Sequence, residues 1–180
     1  MTPEDLSLDP EIFLLNQPLM LYRLARNRYA NLSGVGAAQY PGRWNRHRQE
    51  AIYTSTEIAV PVLERLVHTP KDLIPSNLAL MKIKVSTPWD AHAGSITYGL
   101  QGRVHLRICR TLAIAKQSPD LLGDAFWFAL AVPSVVVPAW NVVLYPQALG
   151  FWEHVSLESV EPFEFDPRPF PEGTPIEMPE

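Results

Sequence analysis

A single cysteine, Cys109, leaves no intramolecular disulfide to form, so a framework of cross-links is excluded as the source of stability. Glycine is sparse, at nine in 180 residues, and no G-x-G-x-x-G or Walker-type loop occurs. The usual dinucleotide and P-loop folds are therefore excluded as a default. Positive charge is scarce as well: 15 Lys and Arg face 19 Asp and Glu, giving a net charge of −4 and a pI near 5.7. A broad nucleic-acid surface needs clustered cations to displace counterions, so no direct nucleic-acid contact is expected. His47 and His68 have no His or Cys cluster at ligand spacing, and no metal site is expected. The start, Met1-Thr2-Pro3-Glu4-Asp5, lacks the basic and apolar regions of a secretory signal. With one cysteine, a reducing cytoplasm fits.

Charge is absent altogether from Ala125 to Tyr145, a run long enough to cross a bilayer. Pro133 and Pro138 would remove helix donors near its middle, and Ser134 and Asn141 would need polar partners, so it reads as the end of a helix followed by buried strands. No membrane span is expected.

What is present suits one globular domain: 47% hydrophobic and 19% charged residues over 180 positions can bury a substantial core. The expected division is a lead-in over 1–18 with a short helical piece near Glu11 to Leu15, a domain over 19–161, and a tail over 162–180 that holds six prolines among acidic residues. Strands are expected at Leu19 to Leu24, Ala51 to Ser55, Leu78 to Val85, Val132 to Val137, Asn141 to Leu144 and Val155 to Phe165. Helices are expected from about residue 56 to 68, capped by Ser55 or Thr56 with Glu57 in its first turn, from Val104 to Lys116 with Cys109 as a buried hydrophobe, and from Leu122 to Leu130. The resulting fold class is α+β, with short strands in mixed sheets and packed helices.

The chemistry concentrates between Gly42 and His68. Arg43 follows a glycine in a turn, and its guanidinium fork matches phosphate oxygens. Tyr53 stands in a short strand, where a core aromatic and a ring-stacking ligand contact are both open readings. Glu64 lies four residues after Val60 and four before His68 in a mostly apolar helix. It reads either as a boundary carboxylate paired with Arg65 or as a site carboxylate that polarises a hydroxyl or stabilises a cationic sugar. Arg23, inside an apolar strand, needs an anion, which could be Glu64 or a ligand phosphate. Ser134 has no base at a recognisable spacing and reads as a hydrogen-bonding hydroxyl.

Several ordered motifs together resemble the RES-domain family: Tyr22-Arg23-Leu24, the run from Gly36 to Asn45, Ile52-Tyr53-Thr54-Ser55, Leu63-Glu64 with Val67-His68, and Val132-Pro133-Ser134 followed by Asn141. The similarity covers roughly residues 20 to 157. It implies a fold similar to that of ADP-ribosyltransferase toxins, a toxin of a type II toxin-antitoxin pair, and consumption of NAD+ as substrate with no resident cofactor. It implies Arg23, Glu64 and Ser134 as catalytic positions, with Arg43 and Tyr53 binding substrate. The implied partner is a helix-turn-helix, Xre-type antitoxin, within whose complex a homo-oligomer could form. The chain departs from the family pattern at Pro41, at the turn Arg46 to Glu50, and at Leu144 to Leu149, where a histidine is missing.

On this basis the expected activity is cleavage of the nicotinamide–ribose bond of NAD+, by hydrolysis or phosphorolysis. Glu64 would stabilise the oxocarbenium-like sugar, Arg43 and Arg23 would hold the pyrophosphate, Tyr53 would pack on a ring, and Ser134 would fix the ribose or the carboxylate. An ADP-ribosyltransferase with the same site and a protein acceptor is the nearer alternative. A non-catalytic module that binds a nucleotide or a partner is the other.

Overall fold

The computed structural model describes residues 18–70, 76–86, 97–98, 105–108, 127–148 and 150–166. The expected helical piece near Glu11, Cys109 and the tail beyond residue 166 lie outside them. Eight strands form one sheet: β1 (Leu19–Arg26), β2 (Ile52–Ser55), β3 (Leu78–Val85), β4 (Thr97–Tyr98), β5 (His105–Ile108), β6 (Trp127–Pro133), β7 (Trp140–Leu144) and β8 (Val155–Phe163). Their order is β4-β5-β6-β7-β2-β1-β3-β8. The six strands from β6 to β8 are antiparallel throughout, and β5 joins β6 in parallel. Among the described residues the α-helices are α1 (Val35–Gln39), α2 (Ala59–Val67) and α3 (Phe151–His154), and Asn27–Tyr29 forms one 3-10 turn after β1. The class is α+β, as the pattern of short strands and helices implied.

The sheet is unevenly joined. β1 and β3 pair along all of β1, from Leu19 opposite Val85 to Arg26 opposite Leu78, whereas β1 meets β2 at a single register pair, Tyr22 and Ser55. The chain thus holds a β6-β7-β2 half and a β1-β3-β8 half with a narrow seam, and α2 packs on both β1 and β2. Leu21, Ile83, Met81, Ile52, Leu144 and Phe128 are fully enclosed and form one continuous core across the seam. Phe128 stacks obliquely on Phe151 of α3, with ring centroids 5.5 Å apart.

Two helix expectations are corrected. Residues 105–108 of the supposed 104–116 helix are strand β5, and residues 127–130 of the supposed 122–130 helix begin strand β6. Phe128 to Val132 are all buried, so both faces of β6 are apolar, and a run covered on both sides shows no alternation to separate it from a buried helix. β6 ends at Pro133, and residues 135–139 form bends before β7 rather than strand.

The cap of α2 also differs. The helix starts at Ala59 behind Ile58 with no side-chain cap and no acid in its first turn. Ser55 and Thr56, the expected caps, are engaged by β7 instead: Ser55 Oγ donates to Asn141 Oδ1, and Thr56 Oγ1 donates to the Trp140 carbonyl at 3.3 Å. Pro61 falls in the first turn, where its missing N–H has no intrahelical partner to lose. The helix ends where Thr69-Pro70 implied, with Thr69 Oγ1 capping the Arg65 carbonyl at 2.7 Å. β8 continues to Phe163, with Pro162 opposite Ala79. No helix among the described residues is long and apolar enough to cross a membrane.

Candidate active site

The site begins in strand register. Tyr22 stands across from Ser55, Ser55 from Asn141, and Asn141 from Val132, which sets one row of side chains across β1, β2, β7 and β6 on a shared face. Glu64 on α2 reaches this row. Its Oε1 accepts hydrogen bonds from Asn141 Nδ2 at 2.6 Å and from Ser134 Oγ at 2.8 Å. Ser134 is held in turn, because its Oγ accepts from the Val136 N–H at 3.2 Å and its own N–H donates to the Ala139 carbonyl at 2.8 Å. Glu64 is half-buried, and its Oε2 has no protein donor among the described residues.

The second part is the loop over 41–50, which has no regular structure and is organised by Asn45, only 3% exposed. Asn45 Oδ1 accepts from the Gly42 N–H and from Tyr53 Oη, each at 2.8 Å. Asn45 Nδ2 donates to the carbonyls of Ala37 at 2.8 Å, Gln49 at 2.9 Å and Arg46 at 3.2 Å. Tyr53 Oη also accepts from the Trp44 N–H at 3.0 Å, and buried Tyr145 donates to the Trp44 carbonyl at 2.8 Å. Gly42 has to be glycine here, since a Cβ would meet Tyr53 Oη and lie 2.8 Å from Tyr53 Cζ. These bonds leave the Arg43 side chain exposed, with its guanidinium 6.0 Å from the Trp44 ring centroid.

The two parts meet in an open cavity of about 240 Å³ lined by Arg43, Trp44, Tyr53, Glu64, His68, Pro133, Val135 and Asn141. Its lining combines a cation, a carboxylate and two aromatic rings. Burial pushes the Tyr53 phenol above its ordinary value, while the Trp44 N–H and the charge of Arg43 oppose that rise.

Of the residues expected from the sequence, Glu64, Ser134, Arg43 and Tyr53 come together: Glu64, Arg43 and Tyr53 line the cavity, and Ser134 bonds Glu64. Arg23 does not join them. It shares a face of β1 with Leu21 and Ala25, opposite the face that carries Tyr22, one Nη donates to the Asn31 carbonyl at 3.1 Å, and it makes no ion pair with Glu64. Burial holds its guanidinium below the usual arginine range. Tyr53 is tied at its hydroxyl, so it braces the Arg43 turn in addition to walling the cavity. Asn141 and Ser55 were missed as site residues. Asn141 is an isolated polar position in an apolar strand run and Ser55 lies within a polar Thr54-Ser55-Thr56 stretch, and only the β2–β7 register reveals that they adjoin. The segment without the expected histidine contributes through Tyr145 and through Gln147 Oε1, which accepts from the Glu50 N–H at 3.3 Å.

Fold and site together define an α+β domain whose narrow seam is bridged by a helix carrying a hydrogen-bonded carboxylate into a cleft shared with an exposed arginine. The chain belongs to the RES domain family, whose model matches residues 20–166. It is 30% identical to toxin Res of Photorhabdus laumondii over 83% of this chain and 96% of that one. It is 32% identical to toxin Res of Yersinia enterocolitica over 83% and 99%. A protein of Sphingobium sp. called Prs ADP-ribosylating toxin is 28% identical over 77% of this chain and 86% of its own length. In three dimensions the chain resembles a chain of the M. tuberculosis MbcT-MbcA toxin-antitoxin complex, with a TM-score of 0.53 and 15% identity, over 83% of this chain and 86% of the other.

Proposed function

We propose that this chain is the toxin of a toxin-antitoxin pair and that it breaks the bond between nicotinamide and ribose in NAD+. The observation that carries the reading is Glu64, whose Oε1 is fixed by Ser134 and Asn141 while Oε2 remains for a ligand, in one cavity with Arg43 and Tyr53. As the bond breaks, nicotinamide leaves with the electron pair and positive charge grows on the ribose carbon and ring oxygen. A carboxylate beside the sugar stabilises that charge and accepts a hydrogen bond from a ribose hydroxyl. Arg43 meets the pyrophosphate, and the Tyr53 ring flanks the nucleotide. The acceptor, water or phosphate, forms the new C–O bond and gives up a proton. The cavity of about 240 Å³ lies below the ~300 Å³ at which typical ligand pockets begin, which suits part of a dinucleotide with the remainder on the surface. Arg23 serves from outside it, steadying the segment after β1 through Asn31. NAD+ enters as substrate, and the names of the Photorhabdus and Yersinia relatives support the toxin role. The likeness to a chain of a toxin-antitoxin complex supports an antitoxin as partner, and the proposed antitoxin is of the helix-turn-helix type.

Incubation of the purified chain with NAD+ and chromatographic detection of nicotinamide tests this. Release by the wild type and loss of release in Glu64→Gln are expected; intact NAD+ after incubation with folded wild-type protein overturns it. A protein acceptor is the second reading, favoured by the name of the Sphingobium relative. Labelled ADP-ribose would then appear on a protein rather than free in solution.

A further inference from the structure

We propose that Asn141 is a positioning residue that holds Glu64 in its working orientation, and that Ser55 in turn fixes Asn141. The inference rests on the reading of Glu64 as the carboxylate that acts on the sugar. It starts from a chain of side-chain hydrogen bonds, Ser55 Oγ to Asn141 Oδ1, Asn141 Nδ2 to Glu64 Oε1, and Ser134 Oγ to the same Oε1.

A carboxylate can rotate about its terminal bond, and each rotation exchanges the oxygen presented to the cavity. Two donors aimed at one oxygen remove that freedom, so Oε1 becomes the anchor and Oε2 the working oxygen. An amide can also turn over, and Asn141 turned over would set its oxygen against Glu64 Oε1 with no proton between them. Ser55 prevents this. Its hydroxyl donates to Asn141 Oδ1, which leaves only Nδ2 to face Glu64. Ser55 is 1% exposed, so no bulk water stands ready to replace it. The backbone sets the geometry, since Ser55 and Asn141 are direct partners in the β2–β7 register. A relay placed on two paired strands is stiffer than one placed on a loop. Within the cavity Glu64 also faces Arg43, Tyr53 and His68, and only Asn141 and Ser134 are bonded to it among the described residues.

The test uses the full chain with NAD+ as substrate and measures kcat and KM from mildly acidic to mildly alkaline pH, with a thermal melt for each variant. In Ser55→Ala the amide is free to turn over, and kcat should fall ~10²-fold, the scale of a displaced catalytic group, with KM little changed. In Asn141→Asp a second carboxylate replaces the donor at nearly the same shape. The two acids then share protons as a pair, so turnover should be lost at neutral pH and return in part as the pH falls and one proton restores a hydrogen bond to Oε1. The wild type should show no such acid recovery. Asn141→Asp with the wild-type kcat and pH profile would overturn the proposal, as would Ser55→Ala that melts earlier while keeping its kcat. No turnover by the wild type at all is a separate result, which removes the proposed function and this inference together.

Discussion

The carboxylate corner and the arginine loop place opposite charges in one cavity by different means. Glu64, Asn141, Ser55 and Ser134 are carried by α2, by the paired strands β2 and β7, and by the residue just past β6, so backbone ladders fix where their side chains meet. Arg43 stands on a loop without a ladder, and one buried residue, Asn45, substitutes for it by closing five hydrogen bonds to the loop, to α1 and to Tyr53. The first arrangement is redundant in backbone and exacting in side-chain chemistry. The second depends on single side chains for the path of the main chain. Damage to the corner should therefore alter chemistry in a folded protein, and damage to the loop should alter stability and binding.

The sharpest way to break this contrast is Glu64→Gln, which keeps the shape and removes the charge. A loss of about 10³-fold in nicotinamide release is expected from removal of one electrostatic contact at the reacting centre, with an unchanged melting temperature. A comparable fall in stability would mean that the corner is structural. Asn45→Ala should do the reverse and lower unfolding stability by about 3 kcal/mol in a urea titration, because buried partners lose their hydrogen bonds together. Tyr53→Phe removes two of the loop's bonds and should lower it by about 1–2 kcal/mol. Arg43→Ala should raise KM for NAD+ roughly ten-fold, the scale of one charge-assisted hydrogen bond, and leave kcat and stability nearly unchanged. The smallest effect is one of pH. Burial raises the folded-state value of Tyr53 above the unfolded tyrosine value of about 10, so the native state holds this proton more tightly. That contribution is fully present below pH ~10 and is lost as the pH rises through the folded value. Wild-type stability should thus fall more steeply in alkali than that of Tyr53→Phe, and parallel curves would show that the phenol is not held this way.

Much of the architecture was legible because one-sided burial leaves a period. Leu78 to Val85 alternates and is β3 from end to end, and Thr69-Pro70 closes α2 where the pattern stops. β6 was not legible, since Phe128 to Val132 is enclosed on both faces and carries no period. Ser55 and Thr56 have the chemistry of helix caps and lie just before a helix. The sequence cannot say that β7 would pass close enough to take both hydroxyls. Arg43, Tyr53, Glu64 and Ser134 could be named from residue type, spacing and family resemblance, but Arg23 was named with them and stands apart, bonded to Asn31.

By itself the sequence determined the α+β class, the strongly periodic elements, and a set of residue types whose chemistry can grip phosphate and act on a sugar. The tertiary structure decided which of them meet. Ser55 lies 86 residues from Asn141, and Glu64 lies 77 from Asn141 and 70 from Ser134. Contacts at such separations depend on strand order and register, which arise from the packing of the whole sheet and leave no local signature in any one segment.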